Sequence, residues 1–324
     1  MGNEGMGYRP LVSIIINNYN YGRYLGAAIE SALGQTYARV EVVVVDDGST
    51  DDSRVVIARH VGRVVPVYKA NGGQASAFNA GVAASRGDIL CFLDADDAFL
   101  PHKVAAAVDA FARHDDADAI FHALEPANDA LMPLARPGRA PAAALGLQEW
   151  DLRARMRRGG MPEIPTATSG CCFRRRLLAR ILPMPEAQGV SLHDNYLKFA
   201  AAALGKALYS TEALALQRLH AGNHYTGRET GARSLALKAR MCVVTAYYLR
   251  ERFPELARFT DNLMASGIGL YWGAGGVATP YRGMVSRYLS SLSPTARLAL
   301  GGKALYFWLE GRGGRGGRGG EVVR

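Results

Sequence analysis

The chain has 324 residues, of which 49% are hydrophobic and 21% charged. This composition excludes a disordered or fibrous chain and supplies enough apolar residues for a sizeable buried core. Residues 1–100 carry 8 Lys and Arg against 11 Asp and Glu, whereas the remainder carries 30 against 18, so the net charge of +9 arises in the C-terminal part. That surplus indicates an anionic partner, such as lipid headgroups, a lipid-linked phosphate or nucleic acid, or else a solvated surface.

The cysteines and the apolar runs bear on the compartment of the protein. The four cysteines form no CxxC pair, which is typical of reduced thiols in a cytosolic protein. The apolar run at 11–16 is too short for a signal peptide. Residues 262–281 carry no charge, but their glycines and proline favour a buried helix with a loop over a membrane span. We therefore expect a cytoplasmic protein, with peripheral contact at the cytoplasmic face of the inner membrane as a further expectation.

Strand and helix patterns alternate over the first hundred residues. Near-continuous apolar runs predict strands, and stretches of helical periodicity separate them. The predicted strands are 11–16, 40–45, 64–68 and 89–93, and the predicted helices are 24–33, 52–60 and 74–85. Apolar strands without polar alternation are typical of a parallel sheet buried on both faces. This order predicts a doubly wound α/β sheet.

The pattern is less regular further along the chain. We predict a helix at 101–113, a strand at 117–124, and a loop or insertion rich in Pro, Ala and Gly at 125–146. Helical patterns return at 148–158, 194–204 and 232–252. Residues 311–320 repeat Arg-Gly-Gly and cannot form a packed core, so we expect them to be disordered.

Polar residues follow three of the predicted strands. These clusters are Asn17-Asn18-Tyr19-Asn20, Asp46-Asp47-Gly48-Ser49 and Asp94-Ala95-Asp96-Asp97. In open α/β sheets, ligands bind beyond the carboxyl ends of the strands. We therefore expect the three clusters to converge on one crevice.

The acidic cluster after the fourth strand favours a cation. Asp94, Asp96 and Asp97 repel one another when ionised, which raises their pKa values or demands a counter-charge. Mg²⁺ or Mn²⁺ would supply that charge and would also take phosphate oxygens as ligands. The alternative is that the acidic residues cap the helix that begins near Pro101.

Five blocks in this order resemble family 2 glycosyltransferases of the GT-A fold. They are VSIIINNYN at 12–20, ALGQTY at 32–37, EVVVVDDGSTD at 41–51, NGGQASAFNAG at 71–81 and GDILCFLDADD at 87–97. The resemblance covers about residues 10–225 and is most specific in its N-terminal half. It implies a Rossmann-like, nucleotide-binding mixed sheet flanked by helices, followed by a helical C-terminal extension.

The resemblance also implies roles for residues of the N-terminal half. Asp47 looks like the residue that reads the base, usually uracil, and Asn17 and Tyr19 line the base and ribose pocket. Gly73 and Gln74 lie in the loop that approaches the nucleotide. Asp94 resembles the ribose-side acid of the DxD motif, and Asp96 resembles its metal ligand. Asn17 and Asn20 have turn capping as an alternative, and we interpret Asn79 as a helix-packing residue.

Further blocks downstream complete the implied site. Asp194, in SLHDNYLK at 191–198, resembles the family's general base, although His193 stands where the family more often has Glu. An N-cap is the alternative for Asp194. His220 resembles the histidine that reaches the diphosphate or metal, with a surface loop residue as the alternative. Thr168, Ser169 and Gly170 resemble the segment under the donor sugar and acceptor, and with His193 they form the predicted donor and acceptor pocket.

The resemblance therefore implies an inverting, metal-dependent glycosyltransferase. The enzyme would use Mn²⁺ or Mg²⁺ and a nucleotide-sugar donor, most of all a UDP-sugar. Its acceptor would be a saccharide or a lipid-linked saccharide, and its product would belong to polysaccharide or glycoconjugate assembly. The implied domains are 1–225, with a nucleotide-binding half at 1–95 and an acceptor half at 96–225, a helical region at 226–308 and an Arg-Gly-Gly tail at 309–324. Basic residues between 233 and 252 would contact an anionic membrane.

The sequence allows three other interpretations. A dinucleotide-dependent oxidoreductase lacks support because the chain has no GxGxxG after the first strand, and no P-loop motif occurs. An RNA-binding protein would use the Arg-Gly-Gly tail, but no RNA-binding module accompanies it, so we expect no specific nucleic acid partner. The third is a catalytically inactive protein that only binds a nucleotide-sugar.

Overall fold

A computed structural model describes residues 9–134, 146–186, 194–220 and 231–313, with side chains to 311. Parts of the predicted loop at 125–146, His193, and most of the Arg-Gly-Gly tail therefore lie outside the described residues. The chain divides into two compact units. The first comprises Met1–Asp151, Ile164–Met184 and Leu204–Tyr225, and the second comprises Leu152–Glu163, Pro185–Ala203 and Thr226–Arg324.

The first unit is built on a nine-stranded mixed sheet. Its strands are β1 Val12–Asn18, β2 Val40–Asp46, β3 Val65–Tyr68, β4 Ile89–Asp94, β5 Ala98–Phe99, β6 Ala119–Ala127, β7 Gln148–Trp150, β8 Cys171–Arg174 and β9 Ala207–Arg218. The order is β3-β2-β1-β4-β8-β6-β9-β5, with β7 also paired to β9. The first four strands are parallel, whereas β8 runs antiparallel to both β4 and β6, and β6 is parallel to β9. The mixed α/β sheet that the resemblance implied is thus confirmed.

Helices cover this sheet. They are α1 Gly22–Leu33, α2 Ser53–Ala58, α3 Gly73–Ala84, α4 Lys103–Arg113 and α6 Arg175–Ile181. The core strands β1, β2 and β4 are almost fully buried, which is why they consist of unbroken Val, Ile and Leu runs. Helix α3 approaches the sheet very closely at Gly81, where a Cβ would lie 2.4 Å from Ile15 Cγ2. The four cysteines are free thiols.

One predicted element of the first unit is wrong. The helical pattern at 148–158 is not one helix, because 148–150 form β7, which pairs antiparallel with β9. The ring of Trp150 stacks on Tyr209 with centroids 4.6 Å apart. This contact between distant residues favours an extended backbone over the local helical periodicity.

The second unit is helical. Its helices are α5 Arg153–Arg157, α7 Asp194–Leu204 (whose last residue belongs to the first unit), α8 Ala232–Arg252, α9 Ala257–Gly273, α10 Thr279–Ser290 and α11 Pro294–Gly313. This unit also includes the segments 152–163 and 185–203. Described residues of both segments pack on α9: Asn262 donates to Gly159 O at 2.7 Å, and the Phe199 and Phe259 rings are 5.3 Å apart. Helix α11 continues to Gly313, beyond residue 308 where we expected the helical region to end. Among the described residues, no helix is long and apolar enough to cross a membrane.

Candidate functional site

The carboxyl ends of β1 and β4 are tied together by two polar side chains. Asn17 lies opposite Asp94 in the parallel register of these strands. The amide Nδ2 of Asn17 donates a hydrogen bond to Asp94 Oδ1 at 3.0 Å. Asn17 Oδ1 is buried and has no hydrogen-bond partner. A buried acceptor without a donor is costly, so this amide oxygen is suited to receive a hydrogen bond from a ligand.

The first aspartate of the Asp46-Asp47 pair has a structural environment. Asp46 is fully buried and accepts hydrogen bonds from Asn18 Nδ2 at 3.2 Å and Arg54 Nε at 3.0 Å. Asn18 also donates to Ser49 Oγ at 3.1 Å. These bonds connect the end of β2 to the end of β1 and to helix α2, and they fix the position of the turn that follows.

Asp47 holds the loop that begins helix α3. Its Oδ1 accepts from Lys69 Nζ at 2.6 Å and from the backbone N–H of Gly72 at 3.0 Å, and its Oδ2 accepts from Gly73 N at 2.7 Å. A carboxylate at a helix N-terminus binds the exposed N–H groups there. Gly73 adopts a φ of +82°, which favours glycine. The predicted nucleotide residues Gly73 and Gln74 are thereby held beside Asp47.

Asp96 and His220 form the second pair of the site. His220 Nε2 lies 3.2 Å from Asp96 Oδ2, and both side chains are mostly buried. The imidazole ring packs against Tyr24 with centroids 4.6 Å apart and against Tyr21 at 5.8 Å. Two aromatic rings from α1 and its preceding residue therefore orient the histidine towards Asp96.

Arg218, at the end of β9, fixes the backbone of the DxD motif. Its Nε donates to Asp96 O at 2.7 Å, and its guanidinium lies 4.7 Å above the ring of Tyr24. Tyr24 in turn donates through its hydroxyl to Asp129 Oδ1 at 2.7 Å. The hydroxyl of Tyr24 holds the pKa of Asp129 below its ordinary value, aided by the charges of Arg23 and Arg218.

Asp97 points into the interior rather than towards a ligand. It is buried and accepts hydrogen bonds from Ser169 Oγ at 2.6 Å and from the backbone N–H of Arg218 at 3.0 Å. Burial raises the pKa of the Asp97 carboxyl well above its ordinary value, and repulsion from Asp96 and Asp94 adds to the rise. Three crowded carboxylates are expected either to have raised pKa values or to bind a counter-charge, and Asp97 shows the first of these outcomes.

The small residues at 168–170 form one 3₁₀ turn beneath the acidic loop. Ser169 is fully buried and accepts from Asp94 N at 3.1 Å while it donates to Asp97. Thr168 Oγ1 accepts from Gln74 Nε2 at 3.4 Å. A Cβ at Gly170 would lie 1.8 Å from Thr166 Oγ1, so only glycine fits there. Ser169 and Gly170 thus act through their neighbours, because neither is exposed.

Two predicted asparagines have the structural roles that were open alternatives. Asn20 adopts a φ of 58°, and its Oδ1 accepts from Thr50 N at 2.7 Å, which ties the bend after β1 to the loop after β2. Asn79 exchanges two hydrogen bonds with the backbone of Met184, at 2.9 and 2.8 Å. Tyr19, in contrast, is 46% exposed, and its ring is open to stacking with a ligand.

Asp194 lies in the second unit, at the first residue of α7. Its Oδ2 is 3.0 Å from Lys198 Nζ, one helical turn later, and both side chains are largely buried. The ion pair orients the carboxylate at the helix N-terminus. This position is compatible with both interpretations of Asp194, the general base and the N-cap.

The Asp96–His220 pair fits two ligands of one divalent cation. With bonds of about 2.1 Å in octahedral geometry, adjacent ligand atoms lie about 3 Å apart, which is close to the 3.2 Å between His220 Nε2 and Asp96 Oδ2. Carboxylate and imidazole are both accepted by Mn²⁺. Among the described residues no group of three or more His, Cys, Asp or Glu could hold a metal.

Sequence reasoning missed Lys103. This lysine is fully buried at the start of α4, donates to Ser169 O at 2.9 Å and lies 3.6 Å from the centroid of the Phe99 ring. Burial, with the charge of Lys103, lowers the pKa of His122 well below its ordinary value, so His122 is neutral. The only signal in the sequence was that a lysine stands among the apolar residues of an amphipathic helix. Such a lysine ordinarily extends its charged end to the protein surface.

The parallel β3-β2-β1-β4 half and the mixed second half of the sheet are those of the GT-A fold. The family model described as "Glycosyl transferase family 2" matches residues 13–182, which is more than half of the chain. The protein belongs to this family.

A cyanobacterial protein is among the similar sequences. An uncharacterized glycosyltransferase of Nostoc sp. is 37% identical over 220 residues, which covers 66% of each chain. Other curated relatives are matched over only 36% of their length. The family model ends at residue 182, so most of the second unit lies outside the residues it matches.

Two solved structures share the fold. Residues 1–349 of Staphylococcus aureus TarS, in complex with UDP-GlcNAc, superpose with a TM-score of 0.59 at 16% identity, covering 92% of this chain and 89% of that one. The mannosyltransferase PcManGT of Pyrobaculum calidifontis, in complex with GDP-Man and Mn²⁺, gives a TM-score of 0.50 at 18% identity, covering 93% and 88%.

Proposed function

We propose that this glycosyltransferase moves a sugar from a UDP-sugar to an acceptor hydroxyl with inversion, in the assembly of a cell-surface polysaccharide or glycoconjugate. The observation that carries the proposal is the arrangement of Asp94 and Asp96. Asn17 holds the first and His220 lies against the second, both at the carboxyl edge of the sheet, where ligands of open α/β sheets bind.

The nucleotide would be bound along this edge of the sheet. Asp47 would read the base, Tyr19 would stack on it, and Asn17 and Asp94 would contact the ribose. Gly73 and Gln74 would border the nucleotide from the start of α3. The buried, unpartnered Oδ1 of Asn17 supports this assignment, because a ribose hydroxyl can donate to it.

Asp96 and His220 would hold Mn²⁺ or Mg²⁺. When bound, the cation would neutralise charge on the leaving diphosphate. The distance between the two ligand atoms and the Mn²⁺ in PcManGT support this assignment. Arg218 would hold the motif rigid, since it binds the backbone of Asp96, and a fixed site lowers the cost of ordering its ligands.

Transfer would be a single displacement in which Asp194 is the general base. The acceptor oxygen forms a bond to the anomeric carbon as its proton passes to the Asp194 carboxylate. The bond from that carbon to the diphosphate oxygen breaks, and its electron pair leaves with the diphosphate. The ion pair with Lys198 supports the role, because it orients the carboxylate.

The donor and acceptor pocket would be formed by Thr168, Ser169, Gly170 and His193. Ser169 and Gly170 would shape this pocket through the acidic loop that they support rather than by direct contact. The acceptor would be a saccharide or a lipid-linked saccharide.

A panel of nucleotide-sugars tests the proposal. UDP-glucose, UDP-GlcNAc, UDP-galactose and GDP-mannose are each incubated with the full chain in the presence of Mn²⁺ or EDTA, and hydrolysis and thermal shift are measured. We expect one UDP-sugar to raise the melting temperature and to be hydrolysed only with Mn²⁺. The UDP-bound TarS structures support this choice of nucleotide. If no nucleotide-sugar is bound or hydrolysed, the proposal is refuted.

A further inference from the structure

Helix α11 is anchored to α9 by one side only. Leu300 and Ala304 are buried on that side. The contact is close: a Cβ at Gly269 of α9 would lie 2.6 Å from Ala304 O. Helices approach this closely only where one of them has glycine. The orientation of α11 on α9 is therefore fixed by packing within the second unit.

The opposite side of α11 is apolar as well. Leu298, Leu305 and Leu309 are 78%, 46% and 53% exposed. Their spacing of seven and four residues places them on one line along the helix, because residues seven and eleven apart share a face. A globular helix ordinarily carries polar residues on its solvent side. This leucine stripe is thus an exposed apolar surface that the packing of the second unit does not explain.

A groove continues the leucine stripe towards the end of α9. It has a volume of about 460 Å³ and is lined by Trp272, Gly275, Gly276, Leu305 and Trp308. Trp272 is 44% exposed. The only polar side-chain atoms of this lining are the two indole nitrogens, so the groove suits hydrocarbon better than a saccharide. Tryptophan is enriched where a protein meets the interface between membrane and water.

The sequence around the stripe is strongly basic. Residues 279–324 contain eight Lys and Arg against two Asp and Glu, and four of the eight lie at 312–324, beyond the side chains that the structure describes. Among the exposed cations of the described part, Arg297 donates to Leu292 O and Ser290 O, and Lys303 donates to Asn262 Oδ1. These partners are neutral oxygens, so the bonds hold the side chains without neutralising their charge.

We propose that the leucine stripe and the adjoining groove dock on an anionic lipid surface. The leucines and Trp272 enter the boundary between headgroups and acyl chains, and the basic residues lie against lipid phosphates. This surface is separate from the basic residues of α8, of which Arg250 forms an ion pair with Asp261 at 2.7 Å.

Charge favours lipid over the other occupants of such a surface. A second copy of this chain would bring the same basic residues together, and like charges repel. An RNA would match the charge but would leave the leucine stripe in water, because nucleic acid binding relies on phosphate contacts and base stacking. An anionic bilayer matches both the apolar stripe and the charge.

Vesicle flotation tests the proposal. The full chain is mixed with vesicles of phosphatidylglycerol and phosphatidylcholine, or of phosphatidylcholine alone. We expect binding to the anionic vesicles that weakens with salt. The triple variant Leu298→Ser, Leu305→Ser, Leu309→Ser should bind at least about tenfold more weakly, since each leucine contributes to the apolar area that enters the lipid. The single variant Leu298→Ser changes the most exposed of the three leucines and should show a smaller loss of vesicle binding. It is used in place of the triple variant if the triple variant does not fold.

The matched control changes three other exposed apolar residues. Val55→Ser, Val61→Ser and Met132→Ser alter side chains that are 55%, 76% and 62% exposed in the first unit, and this variant should bind vesicles like the wild type. Hydrolysis of the UDP-sugar is measured for every variant, and unchanged hydrolysis separates docking from the proposed transfer.

Three results would overturn the docking proposal. The first is a wild type that binds no anionic vesicles, and the second is a stripe variant that binds them as well as the wild type does. The third is an absence of vesicle binding together with a different loss in the stripe variant. Lost self-association would assign the surface to a second copy of the chain, and lost retention of RNA on a filter would assign it to RNA.

Discussion

His220 Nε2 and Asp96 Oδ2 lie 3.2 Å apart, although 124 residues separate them in the chain. The strand β9 delivers the histidine, and the loop after β4 delivers the aspartate. The neighbouring Arg218 binds the backbone of Asp96, so the two segments are joined at the backbone as well as at the side chains.

Replacing Asp96 tests the metal site. In Asp96→Ala the cation loses its carboxylate ligand. We therefore expect the Mn²⁺-dependent affinity for UDP to fall at least about tenfold, because removing even a residue that only hydrogen-bonds to a metal ligand lowers metal affinity by that factor. Isothermal titration calorimetry with and without Mn²⁺ measures it. Asp116→Asn is the control, since Asp116 is a surface carboxylate paired with Lys206. A variant with unchanged Mn²⁺-dependent affinity would refute the role of Asp96.

Replacing Asp194 separates binding from transfer. We expect Asp194→Asn to bind the UDP-sugar normally and to lose transfer by about a hundredfold or more, which is typical for removal of a general base. Transfer rates and the Kd for UDP are measured on the same preparations. Asp109→Asn provides the control, because Asp109 also pairs with a cation four residues later on a helix, Arg113 at 2.5 Å. Equal turnover in Asp194→Asn and wild type would leave only the N-cap interpretation.

Ser169 supports the acidic loop from below. Ser169→Ala removes the donor to the buried Asp97 and the acceptor of Asp94 N. We expect the free energy of unfolding to fall by about 2–3 kcal/mol, since a buried polar group loses its partner. Urea denaturation measures the change. Ser291→Ala, which removes only a local bond to Tyr288 O, should cost far less, and a loss no larger in Ser169→Ala would contradict this role.

Glu41 makes the stability of the first unit depend on pH. Burial by itself raises the pKa of Glu41, but hydrogen bonds from Ser13, Arg86 and Gly87 outweigh it and hold that pKa below its ordinary value. The folded protein therefore favours the ionised form. Its contribution is present above the ordinary glutamate pKa of about 4.3 and is lost as the pH falls through the lower pKa of the folded state.

The variant Glu41→Gln isolates this contribution. We expect it to be less stable than the wild type by about 1–2 kcal/mol near neutral pH, with the difference shrinking as the pH falls below the ordinary glutamate pKa of about 4.3. Urea denaturation at several pH values measures it for both proteins. A difference that stays constant or grows in acid would contradict the sign of the pKa shift.

The four parallel strands, the family and the residues at the strand ends were predictable from the amino-acid sequence alone. Unbroken Val and Ile runs such as 42–45 leave little choice other than a buried parallel strand. Because parallel strands end at one edge, Asn17, Asp47 and Asp94 had to fall together there. The helix at 194–204 was also confirmed to its end residues, since its periodicity is local.

Contacts between distant segments set the features that the sequence did not predict. Residues 148–150 form a strand because they pair with β9, and Phe199 of α7 packs on Phe259 of α9 within the second unit. Only the folded chain shows that Asp97 turns inward to Ser169, that Lys103 is buried beneath them, and that three leucines of α11 face solvent. Periodicity reports which residues share a face of one element, whereas burial and charge compensation depend on what another element places against that face.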